Sequence, residues 1–205
     1  MSSHHFVKEQ QEPALLILDT QSTSYAAIAA TLEWVPTIVV AQEAVETVLS
    51  WGVKIDFILA HQEFQQEHQE LLAAHHPLQF LTVDGSVLEK GLSHLTQTEH
   101  KAVNIVGFPH QQIFELEPYL EKLDLVVWDG AMRFVPAKSG KFKKWYSDTT
   151  LQLHAPDGTW IELTHQEERQ LIQVVYATMV EVEEGITSFT SNRMFWIGEL
   201  IPLQD

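Results

Sequence analysis

Six short, mainly apolar runs pace the first 130 residues, at 15–18, 38–41, 57–60, 80–83, 103–107 and 125–128. A strand with one wet face alternates apolar and polar residues, whereas a continuous run marks a strand covered on both faces. The covering comes from helices, and the sequence supplies them between the runs. Ala44, Val45, Val48 and Leu49 fall on one helical face and Gly52 follows as a stop. Val87, Leu88, Leu92 and Leu95 repeat the pattern. Strands alternating with helices predict an α/β domain with a mostly parallel sheet over residues 1–130.

Near residue 130 the rhythm changes. Ser139-Gly140 breaks the chain amid Lys138, Lys141, Lys143 and Lys144, which read as a solvated interdomain loop or, less simply, a phosphate-holding cluster. Segments 149–154 and 159–163 then alternate apolar and polar residues around Ala155-Pro156-Asp157-Gly158, which predicts a hairpin. Residues 170–182 support two readings. Thr164 and Glu167 would cap a helix, while Val174, Val175, Tyr176, Thr178 and Val180 are strand formers and weigh toward strand. Gly185 and the run 194–200 suggest further strands, so 131–205 reads as a smaller β-rich domain.

The 205-residue chain has no cysteine, which excludes disulfides, thiolate zinc sites and thiol nucleophiles. Its net charge of −16 repels phosphate backbones and disfavours nucleic acid. No apolar run reaches the roughly 18 residues of a membrane helix. The first 11 residues are polar and lack the apolar core of a secretory signal, so a cytoplasmic location is expected.

Several stretches together carry a resemblance. Residues 2–17 (Ser-Ser-His-His-Phe-Val-Lys-Glu-Gln-Gln-Glu-Pro-Ala-Leu-Leu-Ile), Trp51-Gly52-Val53-Lys54-Ile55-Asp56, Leu88-Glu89-Lys90-Gly91, Ala102-Val103-Asn104-Ile105-Val106 and Gly185-Ile186-Thr187-Ser188-Phe189-Thr190-Ser191-Asn192 occur in that order. This series resembles the thiamine pyrophosphokinase family. The resemblance implies an N-terminal α/β domain, a C-terminal β-sandwich and a homodimer. It also implies a magnesium-dependent reaction in which ATP and thiamine give AMP and thiamine diphosphate.

Such chemistry needs carboxylates that hold Mg²⁺ against a polyphosphate. Where the family has Asp-Gly after the second strand, this chain has Gln42-Glu43. Where it has Gly-Asp-Phe-Asp after the third, the chain has Ala60-His61-Gln62-Glu63. Thr-Asp-Leu-Glu-Lys becomes Ser86-Val87-Leu88-Glu89-Lys90, and the Arg-x-x-Asp-His element leaves only His110. Glu43, Glu63 and Glu89 are therefore the candidate catalytic carboxylates, with ATP and Mg²⁺ as cofactors if activity survives. In the second domain Trp145, Ser191 and Asn192 match the family and become candidate thiamine-binding residues.

Other readings compete. The chain could be a degenerate family member that still binds thiamine or a nucleotide, or a non-enzymatic regulatory or interaction protein on the same fold. A changed chemistry could use His61 and His110 as an acid–base pair, provided the two converge. His61, His68 and His75 recur every seven residues and would share one face of a continuous helix. Two helical turns span about 10 Å, too far for one ion, so a solvated helix face is expected.

Overall fold

The computed structural model describes residues 12–201. Residues 2–11 of the sequence resemblance, and the polar start read against a secretory signal, lie outside them. The described chain forms two compact units, 12–130 and 131–201.

In the first unit the six runs become β1 (Ala14–Ile17), β2 (Ile38–Ala41), β3 (Phe57–Ala60), β4 (Gln79–Thr82), β5 (Ala102–Val106) and β6 (Asp124–Asp129). All neighbours pair in parallel, in the order β6-β5-β1-β2-β3-β4. Every residue of β1 and β2 is buried, as continuous apolar runs require. Helices α1 (Tyr25–Leu32), α2 (Val45–Ser50), α3 (Gln62–Glu67), α4 (Glu70–Ala74) and α5 (Val87–Gln97) occupy the connections. Helix α5 lies so close to the sheet that a Cβ on Gly91 would sit 2.8 Å from Leu16 and 3.1 Å from Leu59. The glycine of Leu88-Glu89-Lys90-Gly91 is thus a packing residue.

The predicted helix through His61, His68 and His75 is not continuous. It divides into α3 and α4, and the three histidines stand at helix ends: His61 before α3, His68 after it and His75 after α4. The Nδ1–H of His68 donates to the Phe64 carbonyl at 3.0 Å and its ring stacks on Phe64 at 4.0 Å. The His68 backbone N–H donates to the same carbonyl at 3.0 Å, and α3 ends at this residue.

The second unit is an antiparallel β-sandwich. One sheet orders β12 (Ala177–Val182), β9 (Thr149–His154), β14 (Phe195–Leu200) and β7 (Met132–Ala137). The other orders β11 (Glu168–Gln173), β10 (Trp160–His165), β13 (Gly185–Thr190) and β8 (Lys141–Tyr146). Leu151, Leu153, Val180, Phe195 and Ile197 from the first sheet share a core with Ile161, Leu163, Ile172 and Phe189 from the second.

Two expectations change here, and one alternative falls away. The lysines at 141–144 lie within β8, so only Lys138 and the turn at 139–140 remain outside a strand. Ala155-Pro156-Asp157-Gly158 is no hairpin. Thr159 N–H does donate to the Pro156 carbonyl at 3.0 Å, closing a turn, but β9 and β10 belong to opposite sheets. Their alternate apolar residues face each other across the core, so the turn is a corner between sheets. The hairpin forms one step later, through Gln166-Glu167, which replaces the helix start considered at Thr164 and Glu167. Gln166 takes φ +52°, the sign that a two-residue hairpin turn demands at its first position. Residues 170–182 are strands β11 and β12 around a short link, as the β-branched residues suggested.

Candidate functional site

In an open parallel sheet, ligands bind beyond the carboxyl ends of the strands where the strand order reverses. The chain runs from β1 outward through β2, β3 and β4, then returns to β5 on the other side of β1, so the reversal falls between β1 and β5. Gly107, just past β5, adopts φ +75°, and a Cβ there would lie 2.1 Å from the Asp19 carbonyl oxygen. The two loops touch backbone to backbone at this crevice.

Asp19, Ser22, His110 and Asp129 gather at this end of the sheet. Asp19 Oδ1 accepts the N–H groups of Thr20 at 2.7 Å and Gln21 at 3.0 Å. One Asp129 oxygen accepts both the His110 backbone N–H, at 3.0 Å, and its Nδ1–H, at 2.6 Å. The other accepts the Ser22 hydroxyl at 3.3 Å. Both aspartates organise the loops around the crevice. Sequence reasoning missed them, although the signal was present: Leu-Ile-Leu-Asp and Val-Val-Trp-Asp each end an apolar run on a carboxylate.

On the other side of β1, Gln42 Oε1 accepts the His61 backbone N–H at 2.8 Å. His61 Nδ1–H donates to the Val83 carbonyl at 2.8 Å. Gln65 Nε2 ties the Ala60 carbonyl, at 2.9 Å, to the Thr82 hydroxyl, at 3.1 Å. These side chains lace the ends of β2, β3 and β4 together. An open cleft of about 560 Å³ lies beside them, lined by His61, Glu63, Gln66, Val83 and Asp84.

Glu43 is exposed in the single 3₁₀ turn Gln42–Ala44 after β2, Glu63 is exposed in the first turn of α3, and Glu89 is exposed in the first turn of α5. The Glu89 N–H is capped by the Ser86 hydroxyl at 3.3 Å. Among the described residues no three His, Asp or Glu side chains are grouped so as to hold a metal ion. Mg²⁺ held against a polyphosphate takes one or two carboxylates together with phosphate oxygens and waters, and the carboxylates that line this cleft are Glu63 and Asp84.

His61 and His110 do not converge. They follow β3 and β5, which are separated by three inter-strand spacings, about 14 Å. The acid–base pair, which required the two to converge, is therefore not formed.

In the sandwich, Ser191 Oγ–H donates to the Trp160 carbonyl at 2.9 Å, while the Ser191 N–H donates to the Gly140 carbonyl at 2.8 Å. Ser191 thereby latches two turns. Asn192 is exposed beside it, and both line an open cleft of about 670 Å³ with Asp157, Trp160 and Arg193. Trp145 is 56% exposed but pairs with Ile186, five positions before Ser191 on β13, about 17 Å along the strand. Within this unit Ser191 and Asn192 share a cleft and Trp145 stands apart from it.

An open α/β unit with a crevice at its strand ends, followed in the chain by an antiparallel β-sandwich, defines the fold class. It is the fold of thiamin pyrophosphokinases. The structure resembles the enzyme from Bacillus subtilis (TM-score 0.69, 11% identity, 93% of this chain and 100% of that one). It is similarly close to the enzyme from Geobacillus thermodenitrificans (TM-score 0.68, 11% identity, 91% and 97%). The Candida albicans enzyme follows at TM-score 0.67 and 7% identity, covering 95% and 90%. No family model matches the sequence, and no curated protein matches it. Among the described residues no helix is long and apolar enough to cross a membrane.

Proposed function

We propose that this chain is a catalytically degenerate relative of the thiamine pyrophosphokinases that keeps a small-molecule crevice between β1 and β5. In this reading it binds thiamine or a nucleotide and does not carry diphosphate from ATP to thiamine. The observation that supports it most is the Gln42–His61–Val83 chain of hydrogen bonds, which puts an amide and an imidazole where the resemblance implies carboxylates for metal-dependent phosphoryl transfer. Asp19 and Asp129 are engaged in loop structure, Asp19 by the N–H groups of Thr20 and Gln21 beside it and Asp129 by His110 and Ser22 of the neighbouring loops. If turnover does survive, ATP and Mg²⁺ are its cofactors, and Glu43, Glu63 and Glu89 are the carboxylates to test. The same reading makes the protein a cytoplasmic homodimer.

Thermal denaturation with thiamine or ATP, each with and without Mg²⁺, tests the binding. A ligand that binds only the folded state raises Tm by mass action. The expected result is a rise with thiamine or ATP that Mg²⁺ does not enlarge. A rise that requires Mg²⁺ would contradict the degenerate site. No rise with either ligand would favour the alternative, a non-enzymatic regulatory or interaction protein on the same fold.

A further inference from the structure

We propose that the open edge of the β-sandwich takes up an extended, basic segment of a partner protein by strand addition to β12. Strand β12 ends its sheet and β11 ends the other, so the two edges border one groove. The groove measures about 1040 Å³. Its floor is apolar, formed by the buried Ile172, Val180 and Val182. Its rim carries Asp148, Glu181, Glu183 and Glu184, all exposed, and no Lys, Arg or His lines it.

An edge strand leaves alternate N–H and C=O groups without a ladder partner, and natural proteins usually guard such edges with lysine, proline or a bulge. Strand β12 has no lysine, proline or bulge, and its one charge, Glu181, attracts a basic segment while it repels an acidic one. Its six residues pair with β9 in unbroken register from Ala177 to Val182, and Met179 stands 59% exposed on its outer face. The backbone thus offers a template for a further strand, and the carboxylates select its charge. Self-pairing of two β12 edges would bring Glu181, Glu183 and Glu184 of two copies together in a chain already at −16. Like charges at such range are repulsive, so the occupant is a basic partner and not a second copy. This inference does not depend on the crevice of the first unit.

The test uses the full chain and a short synthetic peptide alternating lysine with valine or threonine. Controls are the same peptide with glutamate for lysine, and the lysine peptide N-methylated on the backbone. The proposal expects the lysine peptide to slow amide exchange in β12, with affinity that falls as salt rises. It expects no binding by the glutamate peptide and loss of binding on N-methylation, which removes the ladder donors. Combined Glu181→Lys, Glu183→Lys and Glu184→Lys, checked for folding by circular dichroism, should weaken binding by about tenfold or more. Equal binding of the N-methylated peptide would overturn strand addition. Unchanged affinity in the charge-reversed variant would overturn the basic partner. Concentration-dependent protection of β12 without peptide would assign the edge to self-association and overturn the proposal.

Discussion

The side-chain oxygen of Gln42 accepts the backbone N–H of His61 at 2.8 Å, joining the loops after β2 and β3 by a neutral bond. The resemblance to thiamine pyrophosphokinases places aspartates at positions 42, 61 and 87. Combined Gln42→Asp, His61→Asp and Val87→Asp should therefore create a site for a hard divalent cation. Binding of Mn²⁺, followed by paramagnetic resonance, is expected to tighten by about tenfold or more over the unsubstituted chain. Unchanged Mn²⁺ affinity in a folded triple variant would show that the loops, and not these side chains, forbid the metal.

Gly107 holds the crevice closed at its base. Alanine there would need φ +75° and would place its Cβ against the Asp19 backbone, an obstacle that no side-chain rotation relieves. Gly107→Ala should cost on the order of 3 kcal/mol or more in a urea titration. A loss well under 1 kcal/mol would contradict the packing of the two loops.

His94 and His100 make stability depend on pH. Burial lowers the affinity of His94 for a proton, and the neighbouring His100 and Lys90 lower it further. Burial also lowers that of His100, against a smaller opposing effect of its bond to Leu95. His100 bridges the hydroxyls of Thr98, at 3.0 Å, and Thr37, at 3.1 Å. The unfolded chain therefore binds more protons than the folded one below the ordinary value of 6.5. Stability is full above that pH and declines as pH falls through the lowered folded values. Tm should drop between pH 7 and about pH 5, and His94→Leu, which keeps the contact with Phe57, should make the drop shallower. An identical slope in the variant would contradict the assignment.

Glu199 is a buried carboxylate with two cations. Arg133 donates to it at 2.6 Å, Lys144 at 2.7 and 2.8 Å, and the Tyr146 hydroxyl at 2.9 Å. Burial alone would raise its pKa, but the bonds from Lys144 and Arg133 outweigh that and hold it below the usual range. Glu199→Ala should destabilise by about 2–3 kcal/mol, at or below the low end for a broken buried pair, because the Arg133 and Lys144 side chains are 39% and 40% exposed and rehydrate. The same change should leave the first unit's amide-exchange pattern unaltered. Denaturation and exchange measured together check both halves.

Val35 sits at φ +51° and is 86% exposed. A β-branched residue in the left-handed region is strained, and here little packing opposes a replacement. Val35→Asn should raise stability by about 0.5–1 kcal/mol, read as a shift of the urea midpoint.

Much of the fold was legible because the governing signal was local. Apolar runs marked β1 to β6, and helical periodicity marked α2 and α5. What the sequence hid was pairing. Leu151 and Leu153 alternate in the same way whether Ile161 and Leu163 pair beside them or face them across a core, so the Pro156-Asp157-Gly158 corner passed for a hairpin. The histidines at 61, 68 and 75 looked like one helix face because the break between α3 and α4 leaves no mark in spacing. The crevice was partly legible. The departures from the family pattern at Gln42, His61 and Val87 could be read by resemblance, whereas Asp19 and Asp129 come to one end of the sheet only through the strand order, 110 positions apart in the chain.

The central claim is that these substitutions have ended diphosphoryl transfer. The most direct test incubates the purified, folded protein with thiamine, ATP and Mg²⁺ and measures thiamine diphosphate by the fluorescence of its oxidised form, beside an active thiamine pyrophosphokinase. The account predicts no product above the protein-free control, with Glu63→Ala indistinguishable from the unsubstituted chain. Clear turnover that Glu63→Ala abolishes would contradict it and would mean that the scattered glutamates still assemble a metal site.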